Sequence, residues 1–440
     1  MMTNFVSQAT SPEDQQSLDN MEDGGLVFSV DDALLASGFG KYQWFLLFYA
    51  GMGWIAEAME MMLLSFVGPA VHSEWGLTPG QESMITSVVF VGMMVGAALW
   101  GILSDLKGRK YGFFVTSVIT FVAGFLSAFS PNYLALVCTR CFVGIGLGGG
   151  PVLSSWFLEF IPSANRGFWM VVFQVFWTIG TIIEASLAWI VMPKLGWRLL
   201  LGLSSGPSFV LLFFYGIVPE SPRYLAMKGR TKDALHILEN IALMNKKHLP
   251  AGRFVSQLNT ELNEIDNIDP LKIEEVHLMN EIKQSNKNLM NRENENGVLS
   301  SLYGLFSPNF IKSTLLLWSV FFANAFTYYG LVLLTSELSG EGGNCGQKES
   351  LLVTSTDNSL YRDVFISSFG EFPGLVLSAI VVDYIGRKWS MAAMFFSCSV
   401  FLLPLIFPQH EAITTLLLFG ARLCITGTFT IVYIYAPEVS

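Results

Sequence analysis

Charge is what this sequence lacks. Of 440 residues only 14% are Asp, Glu, Lys or Arg, against about 25% in soluble domains, which excludes an ordinary soluble protein. Residues 1–40 contain no Lys or Arg at all, but hold Glu13, Asp14, Asp19, Glu22, Asp23, Asp31 and Asp32. A secretory signal peptide opens on positive charge, so this start reads instead as a solvated, disordered acidic tail. Cysteine is scarce as well. Cys138, Cys141, Cys398 and Cys424 lie in apolar runs and Cys345 lies alone in a polar loop, which excludes a disulfide framework. Cys138 and Cys141 have C-x-x-C spacing, but no second ligand pair accompanies them, so no metal site is expected. HExxH and P-loop patterns are missing too, which leaves no support for a zinc hydrolase or an ATP-driven pump. The run GIGLGGG (144–150) contains G-x-G-x-x-G. It lies inside an apolar stretch rather than after a strand, so it reads as close helix packing and not as a dinucleotide site. No cofactor and no nucleic-acid partner is expected.

Long apolar runs are what the sequence has. Hydrophobic residues make up 52% of it, and the mean hydropathy is +0.49. About 20 apolar residues cross a bilayer. Ten runs qualify: 42–71, 82–104, 111–130, 132–160, 168–192, 199–218, 311–336, 361–382, 389–407 and 411–436. They are too long for barrel strands, so the fold class is an all-α membrane protein. Lys and Arg gather at 107–110, at 166, at 223–232 and at 387–388. The positive-inside rule then puts the N-terminus in the cytoplasm. The organisation expected is an acidic tail (1–40), a six-helix bundle (41–218), a cytoplasmic loop (219–306) and a four-helix second bundle (307–440). Within the loop, Ala234, Leu235, Leu238, Ile241 and Ala242 recur at helical spacing and predict an amphipathic helix over 231–244; residues 255–299 read as a mobile stretch. The outer loop 337–360 carries no Asn-x-Ser/Thr acceptor, so no N-glycan is expected there.

The chain repeats itself. GILSDLKGRK (101–110) follows span 2 and AIVVDYIGRK (379–388) follows span 8, each residue displaced by 278. Asp105, Gly108, Arg109 and Lys110 thus match Asp383, Gly386, Arg387 and Lys388. Arg140 and Arg422 form a second candidate pair, displaced by 282. Two related halves are a signature of secondary transporters. Basic residues just beyond a helix C-terminus are favourable there, and the Asp residues can pair with them or with another helix.

These motifs resemble the major facilitator superfamily. G-x-x-x-D-x-x-G-R-K is similar to that family's span 2–3 loop, with Ala379 replacing the glycine in the second copy. Arg140 with GIGLGGG resembles its span-4 pattern, PESPRYL (219–225) the signature of sugar porters and organic ion transporters, and GEFPG (370–374) the organic cation transporter branch. Within that branch, GMGWIAEAMEMMLLSFVGP (51–69) and SSWFLEFIPSANRGFW (154–169) look similar to organic cation/carnitine transporter-like proteins of plants, to nicotinate carriers and to synaptic vesicle 2-related proteins. The resemblance implies a gate at Gly101, Asp105, Gly108, Arg109, Lys110, Asp383, Gly386, Arg387 and Lys388. It also implies twelve spans, so a chain ending after ten is expected to lack the last two, including the span against which the first gate loop packs.

Ionisable groups inside the bilayer cost about 2.5–3.5 kcal/mol each on insertion scales. This chain spends several there: Glu57 and Glu60 in span 1, Arg140 in span 4, Glu184 in span 5, Glu371 in span 8 and Arg422 in span 10. Glu57 and Glu60 are three apart, share a face with Trp54 and exceed what one Arg needs. Burial and a nearby like charge both favour a protonated carboxyl, so they are the first candidates for proton coupling. Glu184 lies on a line with Gln174, Trp177 and Gly180. The Glu residues either pair with the two Arg inside the bundle or meet a cation. Arg140 either anchors a substrate carboxylate or locks helices. Trp318, Phe322, Ala325 and Tyr329 form a stripe on span 7 flanked by Asn324 and Tyr328; aromatics there hold a cation, stack on a pyridine ring or pack against lipid. The expected function is secondary transport of a small organic ion, coupled to protons. Nicotinate or a related pyridine betaine is the first substrate, carnitine or choline the second, sugar the third. A transport-defective form acting only as a binding or regulatory partner is the alternative from another class. Plasma and vacuolar membranes both fit.

Overall fold

The computed structural model describes residues 27–255, 311–340, 353–407 and 409–439. The predictions for residues 1–26, for 256–310 and for Cys345 lie outside the described residues.

Most of the described chain is helix. Span 1 is α2 (Lys41–Trp75), preceded by a short strand β1 (Val27–Phe28) and helix α1 (Val30–Ser37). Span 2 is α3 (Pro79–Lys107) and span 3 is α4 (Arg109–Ser127). Span 4 breaks at Gly148 and Gly149 into α5 (Tyr133–Leu147) and α6 (Gly150–Leu158). Spans 5 and 6 run through α7 (Arg166–Ser204) and α8 (Gly206–Phe214). The apolar stretch Ser163–Ile217 is 55 residues long, about 80 Å at helical rise, far more than one bilayer crossing of about 30 Å. The chain turns back at Gly196, whose φ of 75° and ψ of 177° lie outside helical space. That turn divides it into two crossings.

After span 6 come α9 (Pro222–Met227), α10 (Thr231–Asn245) and strand β2 (Arg253–Phe254). The amphipathic helix is present: Ala234, Leu238, Ile241 and Ala242 are its buried face and Leu235 is half-buried. The second half comprises α11 (Ile311–Gly340), α12 (Val353–Phe369), α13 (Glu371–Ile385), α14 (Arg387–Leu402) and α15 (Glu411–Val439). Span 7 is α11, span 8 is α12 with α13, span 9 is α14 and span 10 is α15.

The disordered tail is corrected for residues 27–40. Val27 and Phe28 pair in parallel with Arg253 and Phe254. Ser29 and Asp32 form a reciprocal cap at the start of α1, a motif that satisfies two helix-end N–H groups. Ala33 and Leu34 are wholly buried. Asn245, at the end of α10, donates to the Ser37 and Gly38 carbonyls at 3.3 and 3.4 Å. The acidic composition had hidden a short docking segment.

The repeat reaches into helix packing. A methyl on Gly92 or Gly96 of span 2 would overlap the carbonyls of Cys141 or Ile145 in span 4; a methyl on Gly370 or Gly374 of span 8 would overlap those of Phe419 or Leu423 in span 10. All four correspondences have the displacement of 278. Small residues let backbones approach in lipid, where van der Waals contact drives association. The pairing of Arg140 with Arg422 is corrected by the same register. Arg422 stands where the first half has Gly144, one helical turn away from the counterpart of Arg140.

Candidate functional site

Between the halves lies a cavity of about 310 Å³. Six aromatic side chains line it: Trp54 of span 1, Trp177 of span 5, Tyr328 and Tyr329 of span 7, and Phe429 and Tyr433 of span 10. Trp54 and Trp177 have ring centroids 5.2 Å apart, and Tyr328 and Phe429 5.3 Å. Met61, Met93 and Met94 add polarizable apolar wall. The polar lining is sparse: Glu57, Gln174, Thr426 and Thr430. Gln174 accepts the Trp54 indole N–H at 2.8 Å, and Thr426 Oγ1 is buried without a hydrogen-bond partner.

Glu57 is the one carboxylate at this cavity, and among the described residues no Lys, Arg or His lines it. Nor does any hydrogen bond or ion pair among the described residues engage its carboxylate. Its oxygen lies over Gly150, where a methyl would come within 2.6 Å of it. Gly150 opens α6, and a helix N-terminus carries partial positive charge that favours an anion. The break in span 4 thus seats Glu57 while leaving it facing the cavity.

The expected Glu57/Glu60 pair is corrected. Three residues on a helix are 60° apart, and here that is enough to part them. Glu60 turns into the first bundle, where Arg140 Nη1 donates to its Oε2 at 3.0 Å. Arg140 also donates to Ser127. Both side chains of the ion pair are 1% exposed or less. Arg140 therefore locks helices and does not reach the cavity. Glu184 is likewise buried away from it, with Ser204 Oγ 2.8 Å from both its oxygens. Glu371 pairs with Arg422 at 3.0 Å in the second bundle. Asn324 accepts from Thr428 at 2.7 Å and lines no part of the cavity. Of the span-7 stripe, Trp318 and Phe322 are exposed on the outside of the bundle, while Tyr328 and Tyr329 face inward.

On one side of the cavity the halves are sealed together. Ser65 of span 1 donates to the Val332 carbonyl of span 7 at 3.1 Å, and Phe66 meets Tyr361 with ring centroids 5.8 Å apart. This is the far side, opposite the face that carries the N-terminus and the two D-x-x-G-R-K loops.

On the near face the first loop is tied into a charge chain. Arg109 pairs with Asp105 and with Glu159 Oε1 at 3.1 Å. Gly108 has φ 109°, and a side chain there would collide with Glu220. Glu220 accepts from the backbone N–H of Lys110 at 3.0 Å and of Ser221 at 2.9 Å. Burial pushes the Glu220 carboxyl above its ordinary range, and those N–H donors pull it partly back. Arg223 donates to both oxygens of Asp31, at 3.1 and 2.5 Å, and to the Glu159 carbonyl at 3.4 Å. Glu159, Glu220, Arg223 and Asp31 were not among the candidate gate residues; PESPRYL held two of them, and its helix-capping Ser221 was the available signal. Gly101 has open space around it. In the second copy Gly386 again has a positive φ, 76°, and Asp383, Arg387 and Lys388 are exposed.

Comparison with known proteins agrees with this architecture. Residues 46–337 match the family described as "Sugar (and other) transporter". The chain is 59% identical over 424 residues to organic cation/carnitine transporter 7 of Arabidopsis thaliana, covering 95% of this chain and 84% of that protein. It is 39% identical over 424 residues to the synaptic vesicle 2-related protein of Pongo abelii, covering 94% and 70%. Among solved structures, the partially occluded inward-open conformation of the E. coli xylose transporter XylE superposes with a TM-score of 0.63 at 17% identity, covering 91% of this chain and 85% of that one. The chain therefore belongs to the sugar-and-other-transporter family, within the major facilitator superfamily.

Proposed function

We propose that this protein is a secondary transporter of a small organic cation, working by alternating access and coupled to protons. One observation carries the substrate class: a carboxylate without a partner, Glu57, faces a cavity walled by six aromatic rings and by no basic side chain among the described residues. Aromatic faces attract a cation most strongly when water is excluded. An anion such as nicotinate would meet the wrong charge, so the order of substrates expected from the sequence is reversed, and quaternary ammonium compounds such as carnitine or choline move ahead. The relative named organic cation/carnitine transporter 7 supports the same class. A neutral sugar would leave the Glu57 carboxylate without a counter-ion.

Proton coupling is assigned to the cluster of Glu60, Arg140 and Glu184 rather than to a Glu57/Glu60 pair. Arg140 pairs with Glu60, while Glu184, fully buried as well, has no ion-pair partner among the described residues. A buried carboxylate without a counter-ion is strongly unfavourable. Ser204 Oγ has one proton, yet faces both Glu184 oxygens and the Leu200 carbonyl at 2.8 Å. A proton carried by Glu184 satisfies that arrangement. With the near face in the cytoplasm, of a plasma or vacuolar membrane, the sealed far side makes this a state closed to the outside.

The test is uptake of labelled choline into proteoliposomes under an imposed pH gradient, with carnitine, nicotinate and glucose as competitors. Gradient-driven uptake blocked by carnitine is expected, with the pH response lost in Glu184→Gln. Uptake blocked by nicotinate or glucose alone would refute the substrate class. Saturable binding without net flux would favour the binding-partner reading.

A further inference from the structure

Glu371 begins α13 and is fully buried. Its Oε1 accepts from Arg422 Nε at 3.0 Å and from the Tyr328 hydroxyl at 2.9 Å, both within the second half. The Tyr328 oxygen in turn accepts the Trp177 indole N–H at 2.6 Å, and Trp177 belongs to span 5 of the first half. Thr181, one turn beyond Trp177, lies 3.3 Å from Glu371 Oε2; its hydroxyl proton is shared with the Thr178 carbonyl at 2.9 Å. Arg422 Nη2 reaches Met62 Sδ of span 1 at 3.4 Å. An ion pair inside one half thus grips two spans of the other.

We propose that Glu371 is the latch that keeps the far side closed, and that Trp177 and Tyr328 carry the occupancy of the cavity to it. The placement argues for this first. Trp177 and Tyr328 line the cavity, while Glu371, Thr181 and Met62 lie behind them, toward the far-side seal at Ser65 and Val332. The two halves differ in the same respect. Among the described residues Arg140 bonds only to Glu60 and Ser127, all within the first half, so its pair moves as one body with that half. Arg422 is displaced by one turn toward the cavity relative to Arg140, and its pair spans the divide. Each pair keeps one buried guanidinium N–H without a partner among the described residues, Arg140 Nε and Arg422 Nη1, so the halves differ only in what their pairs touch across the divide. Any ligand held against the Trp177 and Tyr328 rings competes for the groups on which the latch depends. Glu371 does not itself line the cavity and acts through Tyr328, as a positioning residue. The inference rests on alternating access, but not on which substrate is carried.

The test places a reporter on each side: Ser65→Cys at the far-side seal and Thr430→Cys in the cavity wall. Each is labelled in sealed vesicles of known sidedness with a membrane-impermeant maleimide, and the rate is read at that position by mass spectrometry, so the native cysteines serve as controls. Tyr328→Phe, Thr181→Val and Glu371→Gln are then added singly. Tyr328→Phe removes the bond to Glu371 and the one bond across the halves, from Trp177; loss of the latter is expected to raise far-side labelling at position 65 about fivefold, the factor that one hydrogen bond of about 1 kcal/mol represents. Labelling at position 430 from the near face should fall in step. Thr181→Val keeps the Glu371–Arg422 pair and nearly the same shape, so it reports even where Glu371→Gln does not fold; it should act in the same direction by less. Rates that rise together on both sides would mean general loosening and would overturn the latch. So would an unchanged far-side rate in Tyr328→Phe and Thr181→Val. The labelling needs neither substrate nor flux, so failure of the uptake assay would count against the proposed function alone.

Discussion

Gly180 offers a sharp test of how the first bundle is held together. It lies in span 5, buried against span 1, and a methyl on it would stand 2.7 Å from both the Ile55 carbonyl and the Ala58 methyl. Ordinary contact begins at 3.4 Å, so the helices must part by the difference, 3.4 − 2.7 = 0.7 Å. Ile55 is next to Trp54 and two residues from Glu57, so the separation is imposed beside the cavity. Overpacking of this kind costs about 1–3 kcal/mol, and the helix preference of Ala over Gly returns about 0.5–1 kcal/mol. Gly180→Ala should therefore lose about 1 kcal/mol at mid-range, and at most about 2.5 kcal/mol. Gly101→Ala is the control, because it sits in helix α3 with nothing within 4 Å; it should gain about 0.5–1 kcal/mol by the same preference. The assay is the thermal unfolding midpoint of the detergent-solubilised protein by tryptophan fluorescence, at one fixed scan rate. With about 2–4 °C for each kcal/mol in a domain of this size, the two variants should move in opposite directions. Equal shifts of the same sign would refute the packing argument.

Arg140→Leu should be the more severe change, losing about 3–5 kcal/mol because it leaves Glu60 buried without its partner; Glu60→Gln, which keeps a hydrogen-bonding group opposite Arg140, should lose less, and equal midpoints would contradict the pairing. The Asp32 carboxyl is held below its ordinary value of 3.8, first by the Ser29 backbone N–H and then by the Ser29 hydroxyl. A lowered carboxyl contributes stability above its ordinary value and loses it as pH falls through the folded value. Docking of α1 should therefore weaken in acid below about 3.8, seen as faster proteolysis after residue 26, and Asp32→Asn should flatten that dependence. Asn245→Ala should free the same segment at neutral pH, since it removes the bonds to the Ser37 and Gly38 carbonyls; unchanged protease sensitivity would show that the segment is held elsewhere.

The crossings and the two-fold repeat were legible because lipid leaves few alternatives. Apolar length sets a span, and D-x-x-G-R-K stands out where charges are rare. The helix over 231–244 was legible from its periodicity. The destinations of the buried charges were not. Glu57 and Glu60 differ by three positions on one helix, and nothing local says that one meets Arg140, 80 residues away, while the other meets a cavity. The break at Gly148 and Gly149 was read as packing, yet it also makes the helix start beneath Glu57. Arg140 and Arg422 look equivalent as letters. Only the contacts of Gly96 with Ile145 and of Gly374 with Leu423 reveal that they are one turn out of register. The folded part of the N-terminal segment was lost in its own acidity, because Asp31 finds Arg223, 192 residues on.

The central claim is that Glu57 makes the cavity a cation site, and equilibrium binding tests it most directly. Labelled choline should be titrated onto the purified protein and onto Glu57→Gln, with nicotinate titrated alongside. The account predicts that the wild type binds choline and does not bind nicotinate comparably. It also predicts that Glu57→Gln weakens choline binding about tenfold or more, which is about 1.4 kcal/mol. Equal choline affinity in the two proteins, or tighter binding of nicotinate than of choline by the wild type, would contradict it.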